Sequence, residues 1–274
     1  MKLRVIHETV YHYSPAVQNA QHMAHLRPRT GVVQRVLTHS LQVDPAPTQC
    51  NMVQDVFGNT RAFFSLPFTH EQLRVRAESL LETLPVPAAP PGEPWEAVRE
   101  RLGYRRGQPY HAATEFSFAS PYIPRHADFV AYAAESFAPG RPLMQAARHL
   151  MSRIHADFAY TSNATDAGTP ALESLRLRRG VCQDFAHVMI GCLRSLGLAA
   201  RYVSGYLLTE PPPGQPRLVG ADASHAWVSV WSPAAEESDG ASDNNTWFDL
   251  DPTNDRAAGE DYVTLAIGRD FSDV

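Results

Sequence analysis

Lysine is nearly missing from this chain of 274 residues: Lys2 stands alone, and the rest of the positive charge is arginine. Surface amines are therefore scarce. The formal net charge is -5 and no basic block occurs, so the electrostatic footprint of a nucleic-acid binder is absent. No apolar run approaches the roughly 20 residues that span a bilayer as a helix. No apolar stretch follows Met1-Lys2 either. The start, LRVIHETVYHY, alternates, and neither a signal peptide nor a membrane anchor is expected. Cysteine is sparse and odd in number (Cys50, Cys182 and Cys192), with no CxxC. This excludes a disulfide framework, weakens a structural zinc site and fits a reducing cytoplasm. No internal repeat is visible.

What is present supports a sizeable core: 44% of residues are hydrophobic and 19% charged. The first part reads as β. Leu3, Val5, His7, Thr9 and Tyr11 share one face of a strand, and Arg4, Ile6, Glu8 and Val10 the other. Further strands are expected over Thr38–Val43 and Leu73–Leu80, and VFGNTRAFFSL reads as a hairpin turning at Gly58-Asn59. Residues 1–83 form an expected antiparallel β domain. Residues 84–95, LPVPAAPPGEPW, form a stiff proline-rich linker, and residues 96–274 form the core.

In the core, Phe129–Phe137 is expected to be helical. Leu143, Ala146, Ala147, Leu150, Met151 and Ile154 recur as one helix face. Thr169-Pro170 reads as an N-cap followed by proline at the first helical position. A third helix begins near Cys182, with a stripe of Cys182, Phe185, Ala186, Met189, Ile190, Leu193 and Leu196 ending at Gly197. Three strands follow: Arg201–Leu208, His225–Trp231 and Thr246–Asp251. They are separated by a proline-rich loop and by an acidic loop expected to be mobile.

Cys182 sits where a helix starts, and the unpaired N–H groups there favour a thiolate. A buried core cysteine is the competing reading. His187 is the nearest candidate base, but on a helix it is rotated about 140° from Cys182 and displaced about 7.5 Å along the axis, so it faces away. Asp184 suits the first turn as a cap or dipole partner. The base must come from elsewhere. His225 shares a strand face with Trp227, and Asp249 and Asp251 share one on the last strand; either carboxylate could orient it. Cys192 reads as core. His22 and His25, three apart, read as a chance surface pair among twelve histidines.

Three segments, GVCQDFAHVMIGCLRSLGLAARYVSGYL, ASHAWVSVW and WFDLDPTND, resemble the bacterial transglutaminase-like family in order and spacing. LRVIHETVYHYSPAV and DVFGNTRAFF resemble the β domain that precedes the core in its bacterial members. The likeness covers nearly the whole chain and is least diagnostic over about 85–140. It implies an α+β, papain-like core in which a helix bearing cysteine packs on an antiparallel sheet bearing histidine and aspartate. It implies Cys182 as nucleophile, His225 as its partner and Asp251, in Asp-Pro-Thr, as the third member. The substrate would be a protein or peptide amide, processed through a thioester, with hydrolysis favoured over cross-linking. The backbone N–H of Cys182 would meet the oxyanion, with Tyr160 or Trp227 as second donor. No cofactor or metal is expected. The acidic run Glu236–Asp243 lacks the pattern of a calcium loop. Two alternatives stay open: a zinc hydrolase using Cys182, His225 and Asp251 as ligands, and an inactive binding module on the same fold.

Overall fold

The computed structural model describes residues 1–86, 88–89, 92–104, 106–107, 111–208, 224–233 and 247–274. The chain divides into two compact units. One comprises Met1–Pro85, Gly205–Leu208 and Glu260–Ala266; the other comprises Val86–Ser204, Thr209–Gly259 and Ile267–Val274. The architecture is α+β.

The first unit carries β1 (Lys2–Val17), β2 (Ala20–Arg27), β3 (Gln34–Asp44), β4 (Gln49–Gln54), β5 (Thr60–Leu66) and β6 (His70–Thr83). They form two antiparallel sheets, ordered β1-β6-β3 and β2-β5-β4. In β1 the residues Leu3, Val5, His7 and Thr9 are half-buried while Arg4, Ile6, Glu8 and Val10 are exposed, as the alternation requires. Phe64 and Leu66 from one sheet and Leu73 and Val75 from the other share a core, with Ala24, Leu26 and Leu41 packed against it. The expected hairpin closes at Gly58 (φ 75°), where Asp55 Oδ1 accepts the N–H groups of Phe57 (2.9 Å) and Asn59 (2.8 Å). Strand β2, AQHMAHLR, has no β-branched residue and was not expected. Pairing with β5 overrides its helical propensity.

The second stretch of chain carries α1 (Trp95–Leu102), α2 (Ala127–Ala133), α3 (Leu143–Asp157), β7 (Ala159–Tyr160), α4 (Ala171–Leu177), β8 (Arg179–Gly180) and α5 (Cys182–Ser195). Then come β9 (Ala200–Leu207), β10 (His225–Trp231), β11 (Trp247–Asp251), β12 (Arg256–Ala257) and β13 (Tyr262–Gly268). Their sheet runs β12-β11-β10-β9-β13. β13, an apolar and β-branched run, went unread in the sequence although its composition signals a strand. Helix α3 buries the face its periodicity marked out. Helix α2 stops at Ala133, short of Phe137. Thr169 does not cap α4. Pro170 is the N-cap, and Thr169 Oγ1 donates instead to Asp166 Oδ1 (3.2 Å). Residues 87, 90 and 91 of the proline-rich stretch, both long loops and the acidic run Glu236–Asp243 lie outside the described residues. Among the described residues no helix is long and apolar enough to cross a membrane.

Helix α5 departs most from expectation. The sequence shows one apolar stripe, yet every residue from Asp184 to Arg194 is buried. The helix packs against β10, α2, α3 and α4, so it has no solvent face. Gly191 lets α2 approach: a Cβ there would lie 2.8 Å from the Phe129 ring. Arg194, 1% exposed, donates to the carbonyls of Phe116 (2.9 Å), Ala200 (2.7 Å) and Arg269 (2.6 Å), tying three segments to the helix end. Every donor it turns inward meets an oxygen, which is the condition for burying a guanidinium. The close approach at Gly191 predicts that Gly191→Ala overpacks this contact and costs about 1–3 kcal/mol. Urea unfolding of the variant checks it; an unchanged midpoint would show that α2 gives way freely.

Candidate active site

Cys182 is the first residue of α5 and is partly exposed, whereas Asp184 to Arg194 are buried. The turn before it is fixed by Asp184. This carboxylate is 1% exposed and accepts the Val181 N–H (2.8 Å) and the Thr165 hydroxyl (2.6 Å) on Oδ2, and the Ser174 hydroxyl (2.6 Å) on Oδ1. The expected capping role of Asp184 is thus present, with Thr165 and Ser174 as partners that no spacing argument had found.

His225 opens β10 and Asp251 closes β11. The strands pair antiparallel with Ser229 opposite Asp249 and Val228 opposite Leu250. That register sets Trp227 opposite Asp251, but both polar contacts slant two residues across the pair. His225 Nε2 meets Asp251 Oδ2 at 2.6 Å, and Trp227 Nε1 donates to Asp249 Oδ2 at 3.0 Å. The ambiguity between the two carboxylates is resolved geometrically: Asp251 holds the imidazole and Asp249 holds the indole. Asp251 is fully buried, and its remaining acceptor capacity is filled. Oδ1 accepts the N–H groups of Thr253 (2.8 Å) and Asn254 (3.2 Å), and Oδ2 accepts Asn254 Nδ2 (2.7 Å). Asn254 had no place in the sequence reading. The signal was there in Asp-Pro-Thr-Asn, a turn sequence in which the aspartate accepts from the backbone two and three residues on.

With Nε2 engaged by Asp251, Nδ1 is the ring nitrogen left for other partners, and Cys182 lies near enough to act on the imidazole. Burial pulls the His225 imidazolium down. The hydrogen bonds and negative charge of Asp251 and Cys182 outweigh burial and raise it to about 9. Near neutral pH this histidine is therefore an imidazolium held by the Asp251 carboxylate. The arrangement can hold a proton at Nδ1 beside Cys182 while Asp251 fixes the ring.

The other expected residues are placed as follows. Trp227 is fully buried with its N–H committed to Asp249, which takes that donor away from a substrate. Tyr160 is half-exposed, its backbone pairs with Gly180, and its ring lies 6.3 Å from that of Phe185. His187 is remote from the Cys182 turn in its bonding. It is fully buried, stacks on Tyr122, and its Nε2 accepts the Phe271 N–H (3.2 Å). Cys192 is fully buried, and burial pushes its thiol up; Cys50 is exposed on β4. His22 and His25 are not a surface pair. His22 stacks on Phe64, while His25 accepts from Arg61 Nε (2.8 Å). Among the described residues no group of three His, Cys, Asp or Glu side chains is arranged to hold a metal ion.

Residues 3–82 match the family model of the bacterial transglutaminase-like N-terminal region, and residues 130–252 that of the transglutaminase-like superfamily. An uncharacterized protein of Mycobacterium tuberculosis is 42% identical over 280 residues, covering 100% of this chain and 85% of that protein. A protein-glutamine gamma-glutamyltransferase of Pseudomonas aeruginosa is 32% identical over 119 residues, 42% of this chain and 16% of that protein. Among solved structures, a candidate cysteine protease from Cytophaga hutchinsonii shares the fold, with a TM-score of 0.75 at 19% identity over 100% of this chain and 83% of that one.

Two histidines pull stability in opposite pH directions. Burial lowers His187 from its ordinary 6.5 to about 4, so its contribution is complete above pH 6.5 and is lost as pH falls toward 4. His225 is raised from 6.5 to about 9, so its contribution is complete below pH 6.5 and is lost as pH rises through 9. Stability is expected to peak near pH 6.5, and His187→Gln to flatten the decline between pH 6.5 and 4. Thermal melts across pH test this; an equal acid slope in the variant would remove His187 from the account.

Proposed function

Because the chain belongs to the bacterial transglutaminase-like family, we propose that it is a cysteine enzyme that cleaves amide bonds of protein or peptide substrates through a thioester. The observation that carries this reading is the buried His225–Asp251 contact of 2.6 Å, with Cys182 at the start of α5 near enough to act on the same imidazole.

The thiolate of Cys182 attacks the amide carbonyl. A C–S bond forms and the carbonyl π electrons move to the oxygen, whose negative charge accepts a hydrogen bond from the N–H of Cys182. His225 gives its Nδ1 proton to the leaving nitrogen as the C–N bond breaks, leaving a thioester. Water then attacks, losing its proton to the now neutral His225, and the thiolate departs to leave a carboxylic acid. Asp251 stays ionised throughout and keeps the ring oriented. The local likeness to a protein-glutamine gamma-glutamyltransferase favours a second reading, in which a primary amine replaces water as acceptor. The chain's single lysine makes it a poor amine donor for itself, so such transfer would join other molecules. The zinc alternative has no converging set of three ligands among the described residues, and Asp251 already has its acceptor positions filled. Three cysteines free of disulfides suit a cytoplasmic setting.

Iodoacetamide labelling across pH, with site mapping, tests the assignment. Cys182 is expected to react well below pH 8, ahead of exposed Cys50, while Cys192 stays unlabelled. An inert Cys182, or one that merely tracks Cys50, would sink it. Asp251→Ala should lower turnover of a glutamine-bearing protein such as casein at least about a hundredfold, and Asp249→Ala far less. The reverse order would transfer the third role to Asp249. Turnover should also fall above about pH 9, as His225 loses the proton it must deliver. It should survive exhaustive chelation. Incorporation of dansylcadaverine into the casein, in place of acid formation, would select the amine-transfer reading.

A further inference from the structure

Asp184 presents a physical puzzle. Its carboxylate is 1% exposed, and among the described residues no cation pairs with it. Its partners are neutral: two hydroxyls and one backbone N–H. Burying an anion in such a setting is expensive. It also lies two residues from Cys182, where a second negative charge is to form. Electrostatically it works against the thiolate that the helix N-terminus favours. A group that opposes the charge it neighbours must supply something else.

What it supplies is geometry. The three bonds draw in three segments: Thr165 from the chain between β7 and α4, Ser174 from α4, and the turn at Val181. The fit leaves no room at Gly180, where a Cβ would lie 2.6 Å from Asp184 Cγ. Gln183 Nε2 ties the same chain segment again through the Ala167 carbonyl (3.0 Å). Val181 is held at both ends, because its carbonyl accepts the N–H groups of Asp184 (2.9 Å) and Phe185 (3.2 Å). The peptide between Val181 and Cys182 therefore has one orientation. Its N–H, that of Cys182, is one of the first-turn donors for which an α-helix provides no partner.

We propose that Asp184 is a positioning residue: it locks the Val181–Cys182 peptide so that the Cys182 N–H is aimed at the oxyanion formed when the Cys182 sulfur attacks a carbonyl. This rests on the reading of Cys182 as nucleophile. Asp184 touches no substrate; it acts through the peptide it holds, and its cost in thiolate stability is the counterpart of that placement.

Two probes separate the effects. Iodoacetamide alkylates the sulfur by direct displacement of iodide and forms no oxyanion. p-Nitrophenyl acetate acylates it through a tetrahedral oxyanion; the S–C bond forms, the ester C–O bond breaks, and p-nitrophenolate leaves. In Asp184→Asn and in Gly180→Ala, the rate of acylation at Cys182 relative to alkylation is expected to fall at least about tenfold, less than the loss on removing an oxyanion donor outright. Alkylation itself should stay within about threefold or rise in Asp184→Asn, where the opposing charge is gone. The chain carries its own controls: buried Cys192 must stay unmodified, which certifies folding, and exposed Cys50 gives the ordinary thiol rate. Should Asp184→Asn expose Cys192, Ser174→Ala removes a single donor and the same ratio decides. An unchanged ratio, or a parallel fall in both rates, would overturn the positioning role while leaving the nucleophile in place. A wild-type Cys182 inert to both probes would overturn both readings.

Discussion

Helix α5 is enclosed on every side from Asp184 to Arg194, and the layout of the candidate site follows from that constraint. A helix without a solvent face can project a reactive group only from an end. Here Cys182 occupies that end, while Asp184 to Arg194 lie in the interior. Enclosure also fixes the helix in place: Gly191 admits the Phe129 ring on one side, and Arg194 binds three carbonyls at the far end. A side chain on such an element has little freedom to drift, which suits the nucleophilic role proposed for Cys182.

Opposite this helix end, the sheet supplies His225, the proposed proton donor. The slanted contacts across β10 and β11 give one carboxylate to His225 and the other to Trp227, so two aspartates only two residues apart do different work. Asp251 is buried with its acceptor sites filled, which makes burial of a charge tolerable and prevents it from turning elsewhere. The raised His225 and the lowered His187 show how environment separates two chemically identical side chains. One is buried beside negative charge and keeps its proton, while the other is buried among rings and loses it.

The buried carboxylates Asp184 and Asp251 stand at two ends of the candidate site, one holding the turn before Cys182 and the other holding the imidazole. Asp184 is satisfied by two hydroxyls and a backbone N–H, and Asp251 by the His225 imidazolium and three amide donors. Hydrogen bonds of this kind are directional, so each carboxylate fixes the orientation of the group it holds.

Local order along the chain was legible in residues alone. The alternation of β1, the hairpin at Gly58-Asn59, the buried face of α3 and the start of α5 each follow from periods and turn chemistry contained within a dozen residues. Helix geometry also excluded His187 as partner of Cys182, since rotation per residue is a local property. Tertiary structure decided everything that required two distant segments to meet. It put β2 in a sheet against its propensity, enclosed α5 beyond its apolar stripe, and split His22 from His25. It also assigned Asp251 rather than Asp249 to His225, and it introduced Thr165, Ser174 and Asn254 as partners. The physical reason is the same in each case: a hydrogen bond or a packed face is chosen by what lies opposite, and spacing along one chain segment carries no information about the identity or offset of the segment across from it.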